Sequence, residues 1–319
     1  MRPRTALPAR NDRLVPGPVG GPDEEQDTRG GAPMADGAAP SLQDRLYDCT
    51  DPQARTEAVE AAAAAVRDGK VVVLPTDTVY GVGADAFDVV AVAMVLAAKH
   101  RGRDMPPPVL VPNPRTVDGL AVDVPMYARI LMRQFWPGPL TVVLKAQPSL
   151  QWDLGETNGT VALRMPDDQV ALQLLADVGP MAVTSANVTG RPAATTGREA
   201  LDQLGGAVSV YLDDGPRTGG LPSTIVDCTG EEAVVLRHGA LGADQLRQVI
   251  GTTVLHDSPE AAAAAHAAAV EAHVDEQAQD TDEEPGDEGA TGREPARLVG
   301  SVVPSGVTVP PGSVRTLTP

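Results

Sequence analysis

Between residues 41 and 256, strand-length apolar runs and helix-patterned segments follow one another without strict alternation. "KVVVLP", "PPVLV", "PLTVVLKA", "GTVALRMP", "PMAVTSAN", "AVSVYLDDG", "PSTIVDCTG" and "AVVLRHG" read as strands. "DPQARTEAVEAAAAAVRDGK" reads as a helix, with Asp51 as its N-cap, Pro52 in the first turn and Gly69 at its end. "DVVAVAMVLAAKH", "VPMYARILMRQFWPG", "DQVALQLLADVG", "REALDQLGG" and "GADQLRQVIG" read as further helices. Such a mixture predicts an α/β or α+β domain around one twisted mixed sheet. The stretch is long enough to bury a single large core.

The flanks are different in kind. Residues 1–40 are rich in Pro, Gly, Ala and charge without periodicity, and are expected to be a disordered extension. Met34, just ahead of the patterned part, is a candidate start. Residues 257–319 are Ala-rich and acidic, with 12 acids against 3 bases. They are expected to be a disordered tail, with transient helix in the alanine part and a solvated acidic remainder. Half of the net charge of −18 therefore belongs to the tail and says little about an active surface. An acidic chain is no obvious nucleic-acid binder, although a local basic pocket is compatible with it. Cys49 and Cys228 stand alone, which argues against a zinc site and a disulfide framework. No apolar signal segment follows Arg2 and Arg4, and no apolar run approaches membrane-spanning length. A cytoplasmic protein is expected, with no protein-bound metal and no membrane partner.

The usual nucleotide signatures are missing: there is no G-x-x-x-x-G-K loop, and "GVGAD" is half of a dinucleotide motif at best. Instead, several apolar strands end in small polar or basic residues. "PTDTVYGVG" offers Thr76, Asp77, Thr78 and Tyr80; an ordinary turn with side chains bonding their own backbone explains it equally well. "AAKHRGRD" clusters Lys99, Arg101 and Arg103 behind an apolar helix, where the helix dipole alone favours cations. Three bases so close together also suit a phosphate grip. "MAVTSANVTGR" brings Thr184, Ser185 and Asn187, "LPSTIVD" brings Ser223 and Thr224, and Arg164 and Arg237 stand at strand ends. Together these groups suggest a polar, cationic concave surface.

In order, "PTDTVYGVGADAF", "KHR", "WPGPLTVVL", "VALRMP", "TSAN", "STIVD" and "LRHGAL" resemble the YrdC-like threonylcarbamoyl-AMP synthase family over roughly residues 55–250. The resemblance implies a YrdC-like twisted mixed sheet flanked by helices, with a deep basic cavity, in the short single-domain form. It implies use of L-threonine, bicarbonate or CO2, and ATP with Mg2+ carried on it. The product would be threonylcarbamoyl-AMP, with pyrophosphate released. Downstream transferase proteins would pass the group to adenosine beside the anticodon of tRNA. By motif, Lys99 and Arg101 would be catalytic and grip the ATP phosphates. Val183, Ser185, Asn187, Ser223 and Arg237 would also contact ATP, and Thr78 and Arg164 would hold threonine. Met105, Ala193 and His238 depart from the common family pattern. The alternatives on the same fold are an RNA-binding module with weak double-stranded RNA or tRNA affinity, and a non-catalytic regulator.

Overall fold

The computed structural model describes residues 41–280. Twelve strands and eight helices follow in chain order. They are β1 (Leu46–Asp48), α1 (Pro52–Arg67), β2 (Val72–Leu74), β3 (Gly81–Asp85), α2 (Val89–Ala98), β4 (Val109–Leu110), α3 (Val117–Leu120) and β5 (Ala121–Val122). Next come α4 (Met126–Phe135), β6 (Leu140–Ala146), β7 (Thr160–Arg164), α5 (Gln169–Val178), β8 (Met181–Ser185) and α6 (Gly197–Leu204). The rest are β9 (Val210–Asp213), β10 (Thr224–Asp227), β11 (Ala233–Arg237), α7 (Ala243–Ile250), β12 (Leu255–His256) and α8 (Pro259–Asp280). All strands belong to one sheet in the order β1-β9-β2-β3-β8-β4-β7-β6-β10-β11-β12, with β5 paired to β6. The ladders are mixed: β2–β3, β3–β8 and β6–β7 are antiparallel, and β1–β9, β4–β7 and β6–β10 are parallel.

Strand β2 shows why its sequence is apolar throughout. Val72 and Leu74 join a core with residues of α1 and α5. Val71 and Val73 join another with residues of α2 and α6. Successive side chains of a strand point to opposite faces, so helices covering both faces leave no position for a polar residue. A third core gathers α4 and α7 against β6, β7, β10 and β11. At the start of α1 the Asp51 carboxylate accepts from the Gln53 and Ala54 N–H groups, as its N-cap position predicts.

Two segments differ from the sequence reading. "GVGAD", which is not among the strands read from the sequence, is strand β3. Its glycines are required by space: a Cβ on Gly83 would lie 2.5 Å from Val183 Cγ2 and 2.6 Å from the Ala182 carbonyl oxygen. A Cβ on Gly81 would lie 2.5 Å from Val183 Cγ1. The Val183 side chain thus lies across both glycines, and period-2 hydrophobicity cannot reveal such a strand. The second segment is Pro259–Asp280, which is helix α8 although the sequence reads as a disordered tail with transient helix. High alanine propensity suffices for it, Ser258 Oγ accepts the Ala261 N–H at 3.2 Å, and its start lies against β11 and β12. The short pieces β1, α3, β5 and β12 are too brief to show a period. The N-terminal extension and the acidic end of the tail lie outside the described residues. No helix among the described residues is long and apolar enough to cross a membrane.

Candidate active site at the strand ends

Pro75 ends β2, and the next residues fold into a turn closed by their own hydroxyls. Thr76 Oγ1 donates to the Val79 carbonyl at 2.6 Å. A carbonyl can only accept, so this bond takes the single Thr76 hydroxyl proton. The 3.0 Å contact between Thr76 Oγ1 and Thr78 Oγ1 is then donated by Thr78. Thr78 Oγ1 also accepts from Arg164 Nη1 at 3.0 Å. One lone pair remains, so Thr78 can accept from a ligand hydroxyl or ammonium but has no proton left to give.

Arg164, at the end of β7, is only 6% exposed. Its Nη2 pairs with Asp77 Oδ1, and its Nε donates to the Gly138 carbonyl at 3.1 Å. Burial pushes the guanidinium below its ordinary pKa, and Asp77 partly offsets this. Asp77 Oδ1 also accepts the Asp167 N–H at 3.1 Å, while Oδ2 is buried without a partner among the described residues. Asp77, left without a role by its motif, is the counter-ion that holds Arg164.

The end of β8 is tied to the C-terminus of α2. Lys99 caps α2 and is 2% exposed. Its Nζ donates to the Ser185 carbonyl, to the Asn187 carbonyl at 2.8 Å and to Asn187 Oδ1 at 3.1 Å. Those contacts use all three of its N–H groups. Burial and the nearby Arg101 charge lower the amine to about 8. The Asn187 amide is equally committed, donating to the Val188 and Arg191 carbonyls at 3.0 and 2.8 Å. Ser185 Oγ donates to Asn187 Oδ1 at 2.6 Å and keeps acceptor capacity. Arg101 Nη1 donates to Thr184 Oγ1 at 2.9 Å, and its Nη2 has no hydrogen bond within the described residues. Lys99 and Asn187 therefore shape this corner, and Arg101 carries its open N–H groups. Val183 is 5% exposed and covers the β3 glycines.

The third corner joins β10 and β11. Ser223 Oγ lies 2.8 Å from Thr141 Oγ1 and accepts from Arg237 Nη2 at 3.0 Å. Arg237 also donates from Nε and Nη2 to the Ser223 carbonyl, at 3.1 and 2.8 Å. Its pKa is lowered by burial first, then by the charges of Arg164 and Arg101. Arg237 thus feels the charges of Arg164 and Arg101, and Lys99 feels that of Arg101. Together they make four cations, against Asp77 beside Arg164 and Asp104 near Arg101. Mutually repelling cations held together by a fold form a site that an anion relieves.

Two surface hollows lie elsewhere. One of about 320 Å³ is lined by Leu46, Asp48, Thr50, Asp213 and Gly215, and one of about 370 Å³ lies between α2 and α6. Neither contains the clustered cations, so the site is assigned from converging side chains. No group of three or more His, Cys, Asp or Glu side chains among the described residues is placed to hold a metal. The sequence reading missed Thr141, which sits inside an apolar strand and carries no local signal.

The model of the Sua5/YciO/YrdC family, described as "Telomere recombination", matches residues 64–239. The chain belongs to the Sua5/YciO/YrdC family. A Mycobacterium tuberculosis (strain H37Rv) relative named "Putative threonylcarbamoyl-AMP synthase" is 52% identical over 205 residues, covering 64% of this chain and 94% of the relative. The Pyrococcus abyssi threonylcarbamoyl-AMP synthase is 36% identical over 199 residues, and the match spans 62% of this chain and 58% of that protein. The structure of P. abyssi Sua5 complexed with L-threonine superposes with a TM-score of 0.63 at 33% identity, covering 66% of this chain and 62% of that one. Escherichia coli YciO gives 0.56 at 25% identity, covering 63% and 97%. The twisted mixed sheet flanked by helices is thus the Sua5/YciO/YrdC fold. All the candidate site residues from Thr78 to Arg237 fall within the matched region.

Proposed function

We propose that this chain is an L-threonylcarbamoyladenylate synthase, a nucleotidyltransferase acting in tRNA modification. The observation that carries this reading is the convergence of Arg101, Arg164 and Arg237 with Lys99, in a site whose remaining hydroxyls can accept from a ligand. The names of the relatives support it. The amino acid lies at Thr78 and Arg164, and the nucleotide at Arg101, Ser185, Ser223 and Arg237. Arg164, already paired with Asp77, has N–H groups to spare for the substrate carboxylate. Thr78 accepts from its hydroxyl or ammonium.

The threonine amine, once deprotonated, adds to CO2 and becomes a carbamate. A carbamate oxygen attacks the α-phosphorus of ATP, the bond to the bridging oxygen breaks, and pyrophosphate leaves. Two anions must meet, so the barrier is lowered by holding both in line and by fixed positive charge; no protein nucleophile is needed. Arg101 and Arg237 supply forked N–H groups for phosphate oxygens. Lys99 adds its charge and fixes the strand end that carries Ser185. Mg2+ arrives with the triphosphate as part of the substrate. Partner proteins then move the threonylcarbamoyl group to tRNA.

The decisive experiment is pyrophosphate release from ATP by the purified protein. Release should require L-threonine and bicarbonate together; release that ignores threonine overturns the reading. A pH dependence follows from Lys99. Its amine, lowered to about 8, is charged below that pH and neutral above it. The site then loses one of its four cations. ATP affinity, measured by calorimetry, should weaken as pH rises through 8, approaching about tenfold per pH unit. An affinity that stays flat to about pH 9.5 would remove Lys99 from phosphate binding.

A further inference from the structure

The stretch between β9 and Ser223, "DGPRTGGLP", has no role in the site so far. Its one basic residue, Arg217, is 16% exposed and makes more contacts than any surface charge needs. Nε donates to the Thr76 carbonyl at 2.8 Å. Nη1 donates to the Asp214 carbonyl at 3.1 Å. Nη2 donates to Asp168 Oδ2 at 2.7 Å and to Asp214 Oδ2 at 3.1 Å. The backbone N–H of Arg217 donates to the Thr195 carbonyl at 2.8 Å. Its guanidinium carbon lies 5.5 Å from the centre of the Tyr80 ring.

We infer that Arg217 is a positioning residue for the amino acid substrate, holding the Thr76–Tyr80 turn at the setting that aims Thr78. This rests on the activity proposed above. Three segments meet at this one side chain, the turn after β2, the N-cap of α5 at Asp168 and the end of β9, and its backbone N–H ties in the loop before α6. Thr76 is 4% exposed, so its carbonyl depends on a protein partner. Arg217 Nε supplies one. The far end of the turn is fixed through Tyr80, whose hydroxyl lies 2.9 Å from Asp213 Oδ1 and accepts the Asp214 N–H at 3.0 Å. Between these anchors stands Thr78, with one lone pair left for a ligand. Arg217 has Asp168 and Asp214 as counter-ions, so it adds no net charge for phosphate. Its influence should therefore fall on the amino acid side and spare the nucleotide. A shift of about 1 Å in positioning a substrate can cost roughly a hundredfold in rate. Lysine cannot replace the fork: one ammonium can serve Thr76 or the carboxylates, but not with the same geometry.

The test is calorimetric binding of L-threonine, and separately of ATP, to wild type, Arg217→Ala and Arg217→Lys, in bicarbonate-free buffer. Arg217→Ala should weaken threonine at least about tenfold and leave ATP within about twofold. Arg217→Lys should show the same split in smaller measure. Added methylguanidinium should restore threonine binding to Arg217→Ala. If Arg217→Ala is too unstable to assay, Arg217→Lys decides alone, and threonine binding like the wild type's overturns the inference. Equal losses for both ligands, or no recovery with methylguanidinium, also overturn it, because they are what general damage to the fold produces. Wild-type protein that binds neither ligand overturns the activity reading, and this inference with it.

Discussion

Arg101→Ala should reduce threonine-dependent pyrophosphate release by about 10²–10³-fold while the protein stays folded. Arg101 makes one side-chain hydrogen bond among the described residues, to Thr184 Oγ1, so little stability is at stake. Its loss removes the open guanidinium at the end of β8 and leaves Arg164 committed to Asp77. The remaining cations cannot move to replace it, because Lys99 is held by three acceptors and Arg237 by Ser223. Lys99→Ala should also abolish adenylate formation, by a different route: Ser185 and Asn187 lose the ammonium that fixes them. Circular dichroism and thermal unfolding separate the two variants. Arg101→Ala should unfold like wild type, and Lys99→Ala somewhat earlier. Full activity in both purified variants would remove this pair from the chemistry.

Arg164→Ala should be the most damaging single change in the site. It leaves the Asp77 carboxylate buried, with the Asp167 N–H as its one remaining hydrogen bond and Oδ2 already unpartnered. Breaking a buried pair from one side costs about 3–5 kcal/mol. The same change removes the proposed anchor for the threonine carboxylate and frees Thr78 Oγ1. Stability and activity can be told apart with a double replacement. Arg164→Met with Asp77→Leu removes both charges and should recover most of the unfolding free energy, since an apolar pair of similar size is often near neutral. It should recover no activity. Denaturant unfolding and pyrophosphate release on the same samples check both halves. Activity in the double variant would mean that threonine is held elsewhere.

Much of this was legible in the sequence, and the reasons for success and failure are physical. The helix at Pro52–Arg67 was readable because its capping Asp, first-turn Pro and terminal Gly act locally. The apolar strands were readable because both sheet faces are covered. Strand β3 was not, because its two glycines answer to Val183 on a neighbour far away in sequence. The individual site residues were visible as polar endings of apolar runs. Their division of labour was not. Nothing local in "KHR" says that the lysine is spent on carbonyls of residues 185 and 187 while the arginine stays open. Nothing in "PTDT" says that the Asp balances an arginine almost ninety positions later. Arg217 was the plainest loss, since Gly and Pro around it read as loop and its partners lie on three other segments.

The close approach of β3 to β8 has one more consequence. Gly81 is paired with Ser185, Val82 with Thr184 and Gly83 with Val183. The turn that carries Thr78 runs into β3, and the Thr184–Ser185 corner ends β8. The distance between the proposed threonine and nucleotide subsites is therefore set by one antiparallel ladder, like two marks on a ruler. A single residue inserted in β8 ahead of Thr184 would exchange the faces of Thr184 and Ser185, and one inserted in β3 would shift the register of the ladder against them; no loop adjustment could undo either. Length changes should be tolerated in the connection from β9 to β10 beyond Arg217, and nowhere between Gly81 and Asp85 or between Met181 and Ser185.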